Sequence, residues 1–184
     1  MGGSDKGLQL LCGRPLVAWV AERFAPQVDE LLISANRNGE HYAAFAHRVV
    51  PDANPGFAGP LAGLHAALMA ASHPLLASVP CDSPLLPTDL VSRLLRAMVA
   101  SGAELAVART GERTQPVCCL CRRDVLPSLS EFLERGGRKV EEWHALLRVV
   151  QVDFDDHANA FANINTSGEL ARFAVDQDVE HRGI

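Results

Sequence analysis

The decapeptide Leu75-Leu76-Ala77-Ser78-Val79-Pro80-Cys81-Asp82-Ser83-Pro84 decides how this chain folds. Its first five residues form an apolar run that is too short for a helix and lacks helical period, so they read as a strand buried on both faces. Pro80 and Pro84 end that strand and hold Asp82 on a stiff turn at its carboxyl end. Upstream, Leu61, Leu64, Leu68 and Met69 mark the buried face of a helix over 61–72. Downstream, Leu90, Leu94, Leu95 and Met98 mark the next helix. A buried strand between two such helices is the unit from which α/β sheets are built.

The alternation continues outward. Pro15 opens a helix over 15–25, with Leu16, Val17, Val20, Ala21 and Phe24 at helical spacing. Short β-like runs follow at 30–35 and 48–50, separated by the polar loop Ser34-Ala35-Asn36-Arg37-Asn38-Gly39 and a weak helix over 39–46. Three prolines and two glycines make 51–60 a long, shaped loop. Beyond residue 100 the pattern predicts strands at 104–109, 115–121 and 148–154 and helices near 124–135 and 138–147. A last helix is expected from a cap at Thr166 or Ser167 to about 175, then a flexible polar tail over 176–184. No linker interrupts the pattern, so residues 1–184 are read as one domain. The expected architecture is an α/β fold of three layers, with an open, mostly parallel sheet between helices. In such sheets the ligand crevice lies beyond the carboxyl ends of the strands.

Composition narrows the partners. With 184 residues, 48% of them hydrophobic and 21% charged, the chain matches an ordinary globular domain and excludes collagen, coiled coil and disorder. A net charge of −5 offers no basic surface for a nucleic-acid backbone or an anionic bilayer. No apolar run approaches the roughly 20 residues of a membrane span. Five cysteines without a regular framework suit a reducing compartment, and the polar start lacks a secretory pattern. The expected location is cytoplasmic, with no nucleic-acid or membrane partner.

Four predicted strands are followed by conspicuous polar groups: Ser34 and Asn36, Asp52 and Asn54, Asp82, and Asn163 and Asn165. The fold rule would gather them on one edge. Gly2-Gly3-Ser4-Asp5-Lys6-Gly7 adds glycines that let backbone approach an anion and an ammonium that can meet phosphate.

Met1-Gly2-Gly3-Ser4-Asp5-Lys6-Gly7 with Gly13-Arg14-Pro15-Leu16 resembles the second half of the nucleotide-binding signature of the molybdenum cofactor guanylyltransferase family. Ser34-Ala35-Asn36-Arg37, Pro51-Asp52, Gly59-Pro60-Leu61-Ala62-Gly63, the Asp82 turn and Phe161-Ala162-Asn163-Ile164-Asn165-Thr166 are similar to further family motifs, in order and across almost the whole chain. The resemblance implies a Rossmann-like nucleotidyltransferase fold. It also implies a reaction in which GTP and the phosphate of molybdopterin, or molybdenum cofactor, give the guanine dinucleotide cofactor and pyrophosphate. It assigns catalysis to Lys6 and Asp82, with Asp82 ligating magnesium, or manganese in its place. Nucleotide contacts fall to Lys6, Ser34, Asp52, Gly59 and Asp82, and pterin contacts to Asn163 and Asn165. Cofactor-handling and acceptor proteins are the implied protein partners. Ser34 departs from the family, which commonly has a longer amide there, and Ser167-Gly168 departs at the final cap. The family signature also begins with a buried strand and a glycine-rich loop ending in Arg, ahead of the position of Met1. An in-frame upstream continuation of the gene is therefore expected, and weak GTP binding by the chain as it stands.

A related cytidylyltransferase or sugar-phosphate nucleotidyltransferase would share the architecture, and a catalytically silent pterin- or nucleotide-binding module would share the loops. Cys118, Cys119 and Cys121 are expected to be buried thiols, because on a strand 119 and 121 face away from 118. His65 is expected to pack, and Gly136-Gly137-Arg138-Lys139 to form a solvated turn rather than a phosphate contact.

Overall fold

A computed structural model describes residues 5–52 and 59–161. Along the chain lie β1 (Leu10–Leu11), β2 (Arg14–Pro15), α1 (Leu16–Phe24), β3 (Leu32–Ser34), α2 (Gly39–Tyr42), β4 (Arg48–Val50), α3 (Pro60–Ala70) and β5 (Leu75–Ser78). They are followed by α4 (Leu90–Ser101), β6 (Leu105–Thr110), β7 (Arg113–Arg122), α5 (Leu126–Glu134), α6 (Val140–His144) and β8 (Val149–Asp153). The expected elements are present within this span, several of them shorter than the sequence pattern. The helices near 39–46 and 138–147 contract to α2 and α6. The expected last helix and the tail lie outside the described residues.

Alternation along β6 and β7 divides the interior in two. Ala106, Ala108, Cys118 and Leu120 enter one core, closed by Leu90, Leu94 and Met98 of α4 and by Phe154 and Phe161. Leu105, Val107, Cys119 and Cys121 enter the other, closed by α3, α5 and Trp143 of α6. This places a sheet between two helical layers, because successive side chains of a strand leave opposite faces. The three neighbouring cysteines are buried and split between the cores as their spacing predicts. Burial pushes all three thiols up, that of Cys119 to about 12, so they act as apolar side chains.

Strand order in the main sheet is β5-β7-β6-β8, with β6–β8 parallel and β7 antiparallel to both neighbours. The pairing is therefore mixed, where the sequence pattern suggested a mostly parallel sheet. The cause is local: only Gly111, at a φ of 54°, and Glu112 separate β6 from β7, and so short a link joins only antiparallel neighbours. Pro116 has no N–H for a ladder, and the register slips there, from Val107 opposite Cys119 to Ala108 opposite Gln115.

β3 and β4 form a separate parallel pair. Among the described residues neither β3 nor β5 has a second strand partner. Both border a slot of about 730 Å3, lined by apolar side chains such as Val17, Val20, Phe24, Leu32, Leu76 and Leu95. This corrects the expectation that 75–79 is fully buried: β5 is only half-buried throughout. Among the described residues no helix is long and apolar enough to cross a membrane.

Candidate active site

Three strand ends build one rim. β3 ends at Ser34, β4 runs into Pro51 and Asp52, and β5 into the Pro80–Pro84 turn. Asp52 is held from two sides: Asn36 Nδ2 donates to its Oδ2 at 2.7 Å, and its own N–H donates to Asn36 Oδ1 at 2.8 Å. Ser34 Oγ lies 3.5 Å from Asp52 Oδ1 and donates to it. The first turn of α3 presses on this group, since a Cβ on Gly63 would stand 2.9 Å from Ser34 Oγ. Gly59 begins that helix with a φ of 81°, a left-handed conformation that favours glycine, and Pro60 occupies its first turn. Ser34, Asn36, Asp52, Gly59 and Cys81 all border the slot, so the rim is continuous from β3 to β5.

The Asp82 turn receives Lys6 from the start of the chain. Lys6 Nζ lies 3.6 Å from Asp82 Oδ2, with the lysine side chain 55% exposed and the aspartate 9%. The buried carboxylate thus faces a half-solvated ammonium, which brings one negative and one positive charge together at the end of β5. Among the described residues no three His, Cys, Asp or Glu side chains cluster as a metal cage. The Asp82 carboxylate is an oxygen donor of the kind that a hard cation accepts. Cys81 adjoins the pair, and burial, reinforced by the Asp82 and Asp5 charges, pushes its thiol up to about 11. It is a neutral wall of the site at neutral pH and no nucleophile.

Of the residues that the sequence singles out, Lys6 meets Asp82, and Ser34 meets Asp52 with Gly59 on the same rim. Asn163 and Asn165 lie outside the described residues. Arg138 donates to the carbonyls of Leu133, at 2.9 Å, and of Gly137, at 2.6 Å, and Lys139 pairs with Glu142 at 3.0 Å. Those two cations close a helix-to-helix turn, as expected. His65 is buried at the α3–α5 contact, its Nε2 3.0 Å from Ser130 Oγ. That hydroxyl already donates to the Leu126 carbonyl, so the histidine donates and Ser130 accepts.

Sequence reading missed Asp5, Asn38 and Tyr42, which bond one another beside Lys6. Asp5 and Asn38 each precede a helical turn and so read as ordinary caps. Their pairing across 33 residues leaves no mark in local spacing.

Comparison with known proteins agrees with this geometry. The model of the MobA-like NTP transferase domain family matches residues 1–149. Molybdenum cofactor guanylyltransferase of Shewanella putrefaciens (strain CN-32) is 48% identical over 177 residues, spanning 96% of this chain and 91% of that protein. The protein of the same name from Shewanella sp. (strain MR-4) is 48% identical over 96% of this chain and 89% of its own length. Among solved structures, molybdopterin-guanine dinucleotide biosynthesis protein A from Archaeoglobus fulgidus superposes with a TM-score of 0.79 at 22% identity, over 97% of this chain and 92% of that one. The 2-C-methyl-D-erythritol 4-phosphate cytidylyltransferase of Thermus thermophilus does so at 0.72 and 19%, over 94% of each. These two establish the fold as that of Rossmann-like nucleotidyltransferases. By its family model and its near-full-length relatives, the chain belongs to the MobA-like NTP transferase domain family, among the molybdenum cofactor guanylyltransferases, and is a nucleotidyltransferase enzyme.

Proposed function

We propose that the chain transfers GMP from GTP to the terminal phosphate of molybdopterin or of molybdenum cofactor. A phosphate oxygen of the pterin forms a bond to the α-phosphorus, the bond from that phosphorus to the β-bridging oxygen breaks, and pyrophosphate leaves. The observation that carries this reading is the Lys6–Asp82 pair, at 3.6 Å, adjoining Cys81, which borders the same slot as the Ser34–Asp52 group. Joining two anions in line is mainly a problem of positioning and charge, and needs no strong acid or base from the protein.

Lys6 neutralises the phosphate chain as a flexible point charge. Ser34 and Asp52, the latter oriented by Asn36, hold the nucleoside, and Gly59 lets backbone pass close to it. Asn163 and Asn165 take the pterin side, as the family motif implies. Asp82 would hold magnesium, or manganese, through its carboxylate, and the cation would supply positive charge against the departing pyrophosphate. Five free thiols, three of them deeply buried, support a reducing cytoplasm as the working compartment.

The test of the reaction is pyrophosphate release with molybdopterin and magnesium, run side by side with GTP and CTP. GTP is expected to be used and CTP not. Asp82→Ala is expected to lower release by about 100- to 1,000-fold, the usual loss when a charge-stabilising group goes. Equal turnover of CTP, or an unaffected Asp82→Ala variant, would sink the reading.

A further inference from the structure

Two residues in capping positions leave their own helices uncapped. Asp5 precedes the 3-10 turn Lys6–Leu8 and Asn38 precedes α2, yet neither side chain bonds a backbone N–H of the turn that it introduces. Aspartate and asparagine ordinarily make such a bond in that place. Here they bond each other instead, Asn38 Nδ2 donating to Asp5 Oδ2 at 3.1 Å. The other carboxylate oxygen, Oδ1, accepts the hydroxyl of Tyr42. Tyr42 ends α2, four residues beyond Asn38, so one short helix grips both oxygens. Tyr42 is buried, and its burial and the Asp5 carboxylate hold the phenol well above the usual tyrosine range, where it remains a donor.

The grip reaches the chemistry through Gly7. A Cβ on that residue would stand 2.6 Å from Tyr42 Oη and 3.3 Å from Cys81 Sγ, so the backbone after Lys6 is pressed between Tyr42 and the turn that carries Asp82. We propose that Tyr42, acting through Asp5, is a positioning residue that fixes the Lys6 turn against the Asp82 turn. It thereby sets where the Lys6 ammonium meets the phosphates. The inference rests on the proposed function only for what that ammonium binds.

Tyr42→Phe keeps the buried ring and removes only the donor. The amides of Leu8 and Gln9, which donate to the Asp5 and Lys6 carbonyls, are expected to exchange about 10- to 100-fold faster, the usual effect of losing a bond to a charged group. Protection in β6 and β7, and the melting temperature, fall by no more than the same free-energy step. The kcat/KM for pyrophosphate release falls by a similar factor. Asp5→Ala removes the acceptor of both bonds and gives at least that loss, and the double variant loses no more than Asp5→Ala alone, because the shared contact is already gone. Unchanged exchange at Leu8 and Gln9, or losses that multiply in the double variant, would overturn the proposal. A parent chain that releases no pyrophosphate would contradict the proposed function, and the exchange comparison would still decide the clamp.

Discussion

The sheet from β5 to β8 and the pair β3–β4 are built on different principles. In the first, β6 and β7 are covered on both faces, and Trp143, Phe154, Leu105 and Leu129 are almost wholly removed from water. In the second, two three-residue strands pair only with each other among the described residues, and β3 looks into the slot. The groups proposed to meet ligand stand at the ends of β3 and β4 and on the β5 turn. On that reading stability and chemistry are carried by different residues, and the two can be perturbed separately.

Hydrogen exchange should show the widest gap. Slot-facing amides of β3 and β5 are expected to exchange more than about 1,000-fold faster than those of Val107 and Leu120, since core strands open only with the whole fold. Equal protection would break the contrast. Next comes Trp143→Ala, expected to cost about 3–5 kcal/mol in urea unfolding, because the ring is fully buried in the β5–β8 half. Asp82→Asn, which removes the charge facing Lys6 but keeps the side chain's shape, should shift unfolding by only about 1 kcal/mol, well short of the Trp143→Ala effect. A core variant with an unchanged midpoint, or a rim variant that unfolds the protein, would merge the two regions.

Acid should weaken the thick half through His144. Burial depresses this imidazole to about 4, below its unfolded value of about 6.5. The unfolded chain therefore takes up the proton first. Stability is full above about pH 6.5 and declines as the pH falls toward 4, by at most about 1.4 kcal/mol per pH unit for one such group. His65, lowered by burial as well, adds in the same direction. Urea midpoints between pH 7 and 4.5 should fall in the parent and fall less steeply in His144→Gln. The smallest effect is expected from Gly63→Ala. Its new Cβ crowds Ser34 Oγ, so GTP affinity should drop a few-fold while stability changes by less than about 1 kcal/mol. Calorimetry with the parent as reference checks this.

The thick half was the more legible in the sequence, because its signals are periodic. The spacing of Leu90, Leu94 and Met98 in α4 and the alternation of Cys118, Cys119 and Cys121 report burial directly, whereas in α3 Leu61, Leu64 and Leu68 are buried but Met69, expected on the same face, is 54% exposed. Strand direction was less legible: β7 reads as one more buried strand, and the two-residue link that reverses it is a small local feature. At the candidate site, Asp82, Lys6, Ser34, Asp52 and Gly59 could be singled out from sequence because each follows a strand or a glycine-rich turn. The Asp5–Asn38–Tyr42 cluster was not, since its bonds join segments 33 and 37 residues apart and every member has an ordinary local reading.

If the turns after β3, β4 and β5 and the Lys6 turn form one nucleotide and cation site, a paramagnetic cation must reach them together. Broadening by manganese in the presence of GTP tests this directly. The amides of Lys6, Ser34, Asp52 and Asp82 should broaden together, those of Gly136 to Lys139 should stay sharp, and Asp82→Ala should abolish the effect. Broadening centred on the Gly136 turn, or on Asp82 without Ser34 and Asp52, would contradict it.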